Sequence, residues 1–185
     1  MALYLNNKRF LVLATIILLT ALTRLLPHPP NFSPVAAIAL FGGAYFVQKK
    51  WGFILPLFAM FISDIGLELI TGHGFHTLMP VVYIAFTMTV GLGLLIGKRV
   101  NIGTVIGGTL AASILFFVLT NFAVWIQGGL YPLTFEGLIT CYVAAIPFFG
   151  NTLLGNVVYA SILFGGWAIA ESKLPAIARP QIANG

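Results

Sequence analysis

Charge is what this chain has least of. Only 7% of its 185 residues are Asp, Glu, Lys or Arg, and 59% are hydrophobic, whereas a soluble domain carries about a quarter of its residues as charges. With a mean hydropathy of +1.03, that scarcity excludes a soluble domain and points to an all-α integral membrane protein forming one domain over residues 1–185. Cysteine is nearly absent as well: Cys141 stands alone, which excludes an internal disulfide and reads as a small buried hydrophobe. There is no G-x-S-x-G, no H-E-x-x-H, no phosphate loop and no sensibly spaced Cys-His pair, so nothing supports an enzyme or a bound cofactor. No internal repeat is visible, which weighs against a transporter of two inverted halves.

What is present is a series of apolar runs, each near the roughly 20 residues needed to cross a hydrocarbon layer. Six spanning helices are expected at about 9–26, 34–48, 51–71, 77–97, 103–126 and 150–171. A seventh apolar piece, Phe135 to Phe149, is interrupted by Pro147 and is too short to span. It is expected as an interfacial or re-entrant helix between the fifth and sixth. The first run follows Lys8 and Arg9 but ends in Arg-Leu-Leu-Pro rather than at a small-residue cleavage site, so it is expected as a retained helix. Gly93 and Gly97, then Gly103, Gly107 and Ala111, have the small-xxx-small spacing that lets helices pack closely.

The basic residues test this drawing, because cytoplasmic loops are rich in Lys and Arg. Lys8 and Arg9, Lys49 and Lys50, Lys98 and Arg99, and Lys173 and Arg179 all fall on one side. Both termini are therefore expected in the cytoplasm, with the basic residues as anchors at helix ends. Paired in this way, the net charge of +5 follows topology, and nucleic acid is not an expected partner. Arg24 is the single basic residue on the other side.

Arg24 opens the most unusual stretch, RLLPHPPNFSPVAAIALFGGAYF. Pro27, Pro29 and Pro30 forbid helix, and Ser33-Pro34 reads as a hydroxyl N-cap followed by proline at the first helical position. On Arg24's side also lie His28, Asn31, Asp64, Glu68, His73, His76, Asn121, Trp125, Gln127, Tyr131, Glu136 and Asn151. Asp64 and Glu68, four residues apart, share a helix face that must turn inward, and Asp64 is expected to pair with Arg24. Asn121 and Trp125 form one potential ring-stacking wall, although an interfacial aromatic belt accounts equally for Trp125 and Tyr131. Asn151 reads as the cap of the sixth helix. His28, His73 and His76 invite a metal reading, but His-x-x-His in a glycine-bearing loop is not a specific ligand spacing, and no metal set is assigned.

FSPVAAIALFGGAYFVQKKWGFILPLFAMFISDIGLEL resembles the second and third helices of substrate-binding S components of energy-coupling factor vitamin transporters. IPFFGNTLLGNVVYASILF is similar to the start of their sixth helix. The whole chain also resembles a family of uncharacterised small bacterial membrane proteins through RLLPHPPNF, FGGAYF, TNFAVW, GGLYP and CYVAAIPFF. The S-component resemblance implies six helices in the bacterial inner (plasma) membrane and an energy-coupling module, of coupling subunit and ATPases, as partner. It also implies three outer loops, Pro27 to Phe32, Gly72 to Thr77 and Gln127 to Phe149, that close over a small-molecule substrate. Two features depart from it: the first helix lacks the Ala-x-x-x-Ala docking motif, and Met1-Ala2 lacks the second-position histidine of the metal-specific members.

The expectation is thus a membrane protein that captures a small, ring-containing micronutrient at the outer face. Its site residues would be Arg24, His28, Asn31, Asp64, Glu68, His76, Asn121, Trp125, Tyr131 and Asn151. A non-transporting packing or docking partner, with Arg24 and Asp64 locked in a filled core, is the alternative; a metal-dependent membrane enzyme is third.

Overall fold

A backbone surrounded by hydrocarbon must satisfy its own N–H and C=O groups, and this chain does so with helices throughout. The computed structural model describes residues 7–177, so Met1, Ala2 and Arg179 lie outside the described residues. Among the described residues there is no strand. The helices are α1 (Asn7–Leu22, continued by a 3-10 turn, Thr23–Leu25), α2 (Val35–Tyr45), α3 (Lys49–Thr71), α4 (Met79–Ile96), α5 (Ile102–Gln127), α6 (Phe135–Ala160) and α7 (Gly166–Lys173). A π-helical turn, Ser161–Gly165, joins α6 to α7, giving one helix of 39 residues. Counted so, the helices number six, as expected.

Four of them are long and apolar enough to cross a membrane: α3, α4, α5 and the joined α6–α7. Their outer surfaces fit that solvent. Ile102, Ile106, Leu110, Ile114 and Val118 recur every four residues along α5 and are all exposed, an apolar stripe that water would oppose.

Three expected helices differ. The first, expected to span over 9–26, is the 16-residue α1 closed by a 3-10 turn and is not among those four. The second, expected to span over 34–48, is an 11-residue helix of which ten residues are buried. At 1.5 Å per residue it reaches only about 16 Å, so α2 is a core element rather than a span. The Phe135–Phe149 piece is not a separate helix: α6 runs through Pro147 without a break. Proline removes one hydrogen bond, and a helix with neighbours can carry it.

Glycines seat α2. A Cβ on Gly43 would lie 2.3 Å from the Val90 carbonyl of α4, and one on Gly93 would lie 2.4 Å from the Leu40 carbonyl. On the opposite side, a Cβ on Gly42 would lie 2.3 Å from Pro56 Cγ of α3. The backbone of α2 thus touches α3 and α4 directly, at distances only glycine allows. Gly97 packs against Ala44 in the same way, as the spacing with Gly93 led one to expect. The second set does not: Gly103, Gly107 and Ala111 are exposed, and a Cβ on Gly107 would meet nothing within 4 Å. The spacing alone does not say which helix face finds a partner.

Arg9, expected as an anchoring surface cation, is buried. Its Nη1 pairs with Glu171 and donates to the Ile177 carbonyl at 2.6 Å, and its guanidinium lies 5.0 Å from the Trp167 ring centroid. The two ends of the described chain are tied together there.

Replacing Gly43 with alanine should therefore cost about 1–3 kcal/mol through overpacking, whereas Gly107→Ala should be neutral or slightly stabilising. Thermal unfolding of both variants in detergent checks this, and equal melting temperatures would contradict the packing.

Candidate functional site

Arg24 sits on the 3-10 turn that ends α1, and one of its nitrogens organises three helices. Nη1 pairs with Asp64 Oδ1 at 2.6 Å and donates to Ser63 Oγ at 2.5 Å and to the Met60 carbonyl at 3.4 Å. From α4, the Tyr83 hydroxyl donates to Asp64 Oδ2 at 2.7 Å. The Asp64 side chain is 1% exposed and that of Arg24 14%, so a carboxylate that would be ruinous alone is held by a cation and a phenol. Nε and Nη2 of Arg24 have no hydrogen-bond partner among the described residues.

Beside this pair lies a cavity of about 460 Å³, within the range of about 300–1,000 Å³ usual for small-molecule sites. Arg24 lines it from the 3-10 turn, His28, Asn31 and Ser33 from the loop between that turn and α2, Met60 and Leu67 from α3, and His76 from the following loop. Phe116, Phe117, Thr120, Asn121 and Val124 of α5 and Ala145, Phe148, Phe149, Thr152 and Asn156 of α6 complete the wall. Of the expected site residues, the structure brings together Arg24, His28, Asn31, His76 and Asn121.

The other five stand outside the lining and act on the site's frame. Asp64 holds Arg24. Glu68 Oε2 accepts from the Gly74 and Phe75 amides at 2.9 and 3.1 Å. This folds the loop carrying His76 back onto α3, so close that a Cβ on Gly74 would lie 2.1 Å from the Asp64 carbonyl. Trp125 Nε1 donates to the Pro132 carbonyl at 2.9 Å, bracing the loop between α5 and α6. Tyr131 sits in that loop, half-buried. Asn151 does not cap the sixth helix, since that helix begins sixteen residues earlier at Phe135. Its Nδ2 instead donates to the Pro30 carbonyl at 3.0 Å, and Gly155, one turn on, lies against Ser33 and Phe32 with no room for a side chain. The loop between α1 and α2 is thereby fastened to α6. Asn31 takes a left-handed backbone (φ 63) in that loop, a conformation Asn tolerates better than most residues.

The expected cap at Ser33 is also absent. The residue preceding α2 is Pro34, no side chain caps the helix, and Ser33 Oγ is buried without a hydrogen-bond partner among the described residues. Tyr83, Asn156 and the phenylalanines of α5 and α6 are not among the site residues expected from the sequence. Asn156 Nδ2 donates to Ser113 Oγ at 2.9 Å, a buried polar link between α6 and α5 beneath the cavity. His28, His73 and His76 do not form a three-ligand group; among the described residues no such cluster of His, Cys, Asp and Glu occurs.

A larger cleft of about 830 Å³ lies between α5 and the α6–α7 helix near the opposite end. Its lining is mostly aliphatic, Asn101 there caps α5, the Ser161 hydroxyl bonds its own helix, and Glu171 is engaged by Arg9. The Thr109 hydroxyl in that cleft is buried without a partner among the described residues, but what distinguishes the smaller cavity is the Arg24 guanidinium in its wall beside the unpartnered Ser33 hydroxyl.

A protein-family model described as a family of unknown function, DUF6580, matches residues 5–177. No curated protein and no solved structure matches the chain. The family match carries no link to S components.

Removing one partner of the buried pair should be severe: Asp64→Ala or Arg24→Ala should each cost about 3–5 kcal/mol. The double variant Arg24→Met/Asp64→Leu should recover much of that loss. Denaturation of the three variants in detergent measures it, and additive losses in the double variant would refute the pairing.

Proposed function

The chain belongs to the DUF6580 family, and for this member we propose a membrane substrate-binding protein that captures a small, ring-containing micronutrient at the outer face of a bacterial inner membrane. In this reading both termini are cytoplasmic, and the loop from Pro27 to Phe32 is the outer lid. The observation that carries it is the cavity beside Arg24. A partly exposed cation held from one side by Asp64, Ser63 and Met60 borders a space walled by Phe116, Phe117, Phe148 and Phe149, with Asn31, Asn121 and Thr152 among its polar groups. Aromatic walls with a few aimed polar groups are how small planar ligands are bound and oriented.

The frame serves the same end. Glu68 and Asn151 fix the loops that carry His76 and His28 to α3 and α6. A site whose loops are already fastened loses less conformational entropy on binding. Delivery across the membrane would fall to an energy-coupling module, a coupling subunit with ATPases, although α1 offers no Ala-x-x-x-Ala surface for it. The filled-core alternative is disfavoured by the cavity itself, since a purely structural ion pair would be packed over by side chains.

Thermal-shift and native mass spectrometry screens of the purified protein against vitamins and nucleobase precursors test the reading. A ligand at 100 times its Kd should raise stability by about 2.7 kcal/mol, and Val124→Trp, which crowds the cavity wall, should abolish the shift. A screen with no stabilised complex would end the proposal.

A further inference from the structure

The cavity has a sign. Among its lining residues are one guanidinium, Arg24, and two imidazoles, His28 and His76, but no carboxylate. The acids nearest to it are occupied elsewhere: Asp64 by Arg24 and Tyr83, and Glu68 by two backbone amides.

Three kinds of donor border that space. Arg24 spends Nη1 on Asp64, Ser63 and Met60 and keeps Nε and Nη2 free of partners among the described residues; these two nitrogens form the side-on fork that fits a carboxylate. Ser33 Oγ is buried and unpartnered and also lines the cavity. The first turn of α2, with Val35 and Ala36 in the cavity wall and no side-chain cap, presents backbone N–H groups and the positive end of the helix dipole. A buried hydroxyl without a partner, as at Ser33, is costly unless something supplies one.

We infer that the ligand of this cavity is an organic anion, a ring bearing a carboxylate that docks on Arg24, Ser33 and the N-terminus of α2. This rests on the substrate-binding reading above and narrows it. The carboxylate oxygens accept from Arg24 Nε and Nη2 and from Ser33 Oγ. The ring lies toward Phe117 and Phe149, where Asn121 and Asn31 are at hand for its heteroatoms. Asp64 keeps Arg24 charged and turned, so the site does not leave an unpaired cation buried before the ligand arrives.

Matched acid and amide probes separate this from the broader proposal. Nicotinate with nicotinamide, 4-aminobenzoate with 4-aminobenzamide, and indole-3-acetate with indole-3-acetamide differ in charge but hardly in shape. Thermal shift and equilibrium binding on the full chain should show at least one acid bound and its amide bound about tenfold or more weakly. Ser33→Ala, which removes a hydroxyl that bonds nothing in the protein, should fold normally and weaken the acid by about tenfold. Arg24→Lys, which keeps the charge opposite Asp64 but loses the fork, should weaken it by at least as much. Amides that bind as well as acids would overturn the inference and leave the binding reading standing. Absence of binding by every acid would overturn it too, and only an empty wider screen would remove the binding reading with it.

Discussion

The ion pair between Arg24 and Asp64 is the constraint on which the rest of the cavity's half of the bundle depends. Two charges taken out of water carry a desolvation cost of several kcal/mol each, which is offset only by close geometry and additional hydrogen bonds. Here the additional bonds come from Ser63, Met60 and Tyr83. Satisfying Asp64 therefore requires the end of α1, the middle of α3 and the start of α4 to meet at one point. That meeting places the loop Pro27–Pro34 over the bundle, and the loop in turn reaches α6 through Asn151 and Gly155. The cavity is the space left beside the pair once these elements are held apart by their own side chains.

The second determinant is α2. A helix of 11 residues buried on nearly every side can exist in the core only if its backbone lies directly against its neighbours, and Gly42, Gly43, Gly52 and Gly93 provide that closeness. Its position matters for chemistry as well. The N-terminus of this helix follows Ser33 and Pro34 directly and borders the cavity with Arg24, so its positive dipole end faces the same site. Packing by glycine and an electropositive cavity are consequences of the same short element.

Much of this was legible in the residues. Paired lysines and arginines mark helix ends, so the one unpaired cation, Arg24, pointed to the pair with Asp64 before any coordinates. The polar bias toward Arg24's side likewise anticipated where the cavity lies. The length of α2 was not legible: fifteen apolar residues read the same whether they face lipid or protein, and only the close approaches of Gly42 and Gly43 tell them apart. Pro147 was taken as a break because proline's local effect is destabilising, while the neighbours that sustain the helix are invisible in sequence. Arg9 and Glu171 meet across 162 residues, a separation no periodicity encodes. Ser33 was assigned as a cap from its place before Pro34, yet its hydroxyl makes no bond to α2. That failure of a local rule is itself informative, because such departures gather at functional sites.

The central claim is that the space beside Arg24 and Asp64 opens to water on the outer face. With Cys141 replaced by alanine, Thr152→Cys on the cavity wall and Ala112→Cys in the packed core can be exposed to a membrane-impermeant maleimide from the outer side. The account predicts that the Thr152→Cys protein is labelled from the outside while the Ala112→Cys protein is not. A Thr152→Cys protein as unreactive as the core control would contradict it.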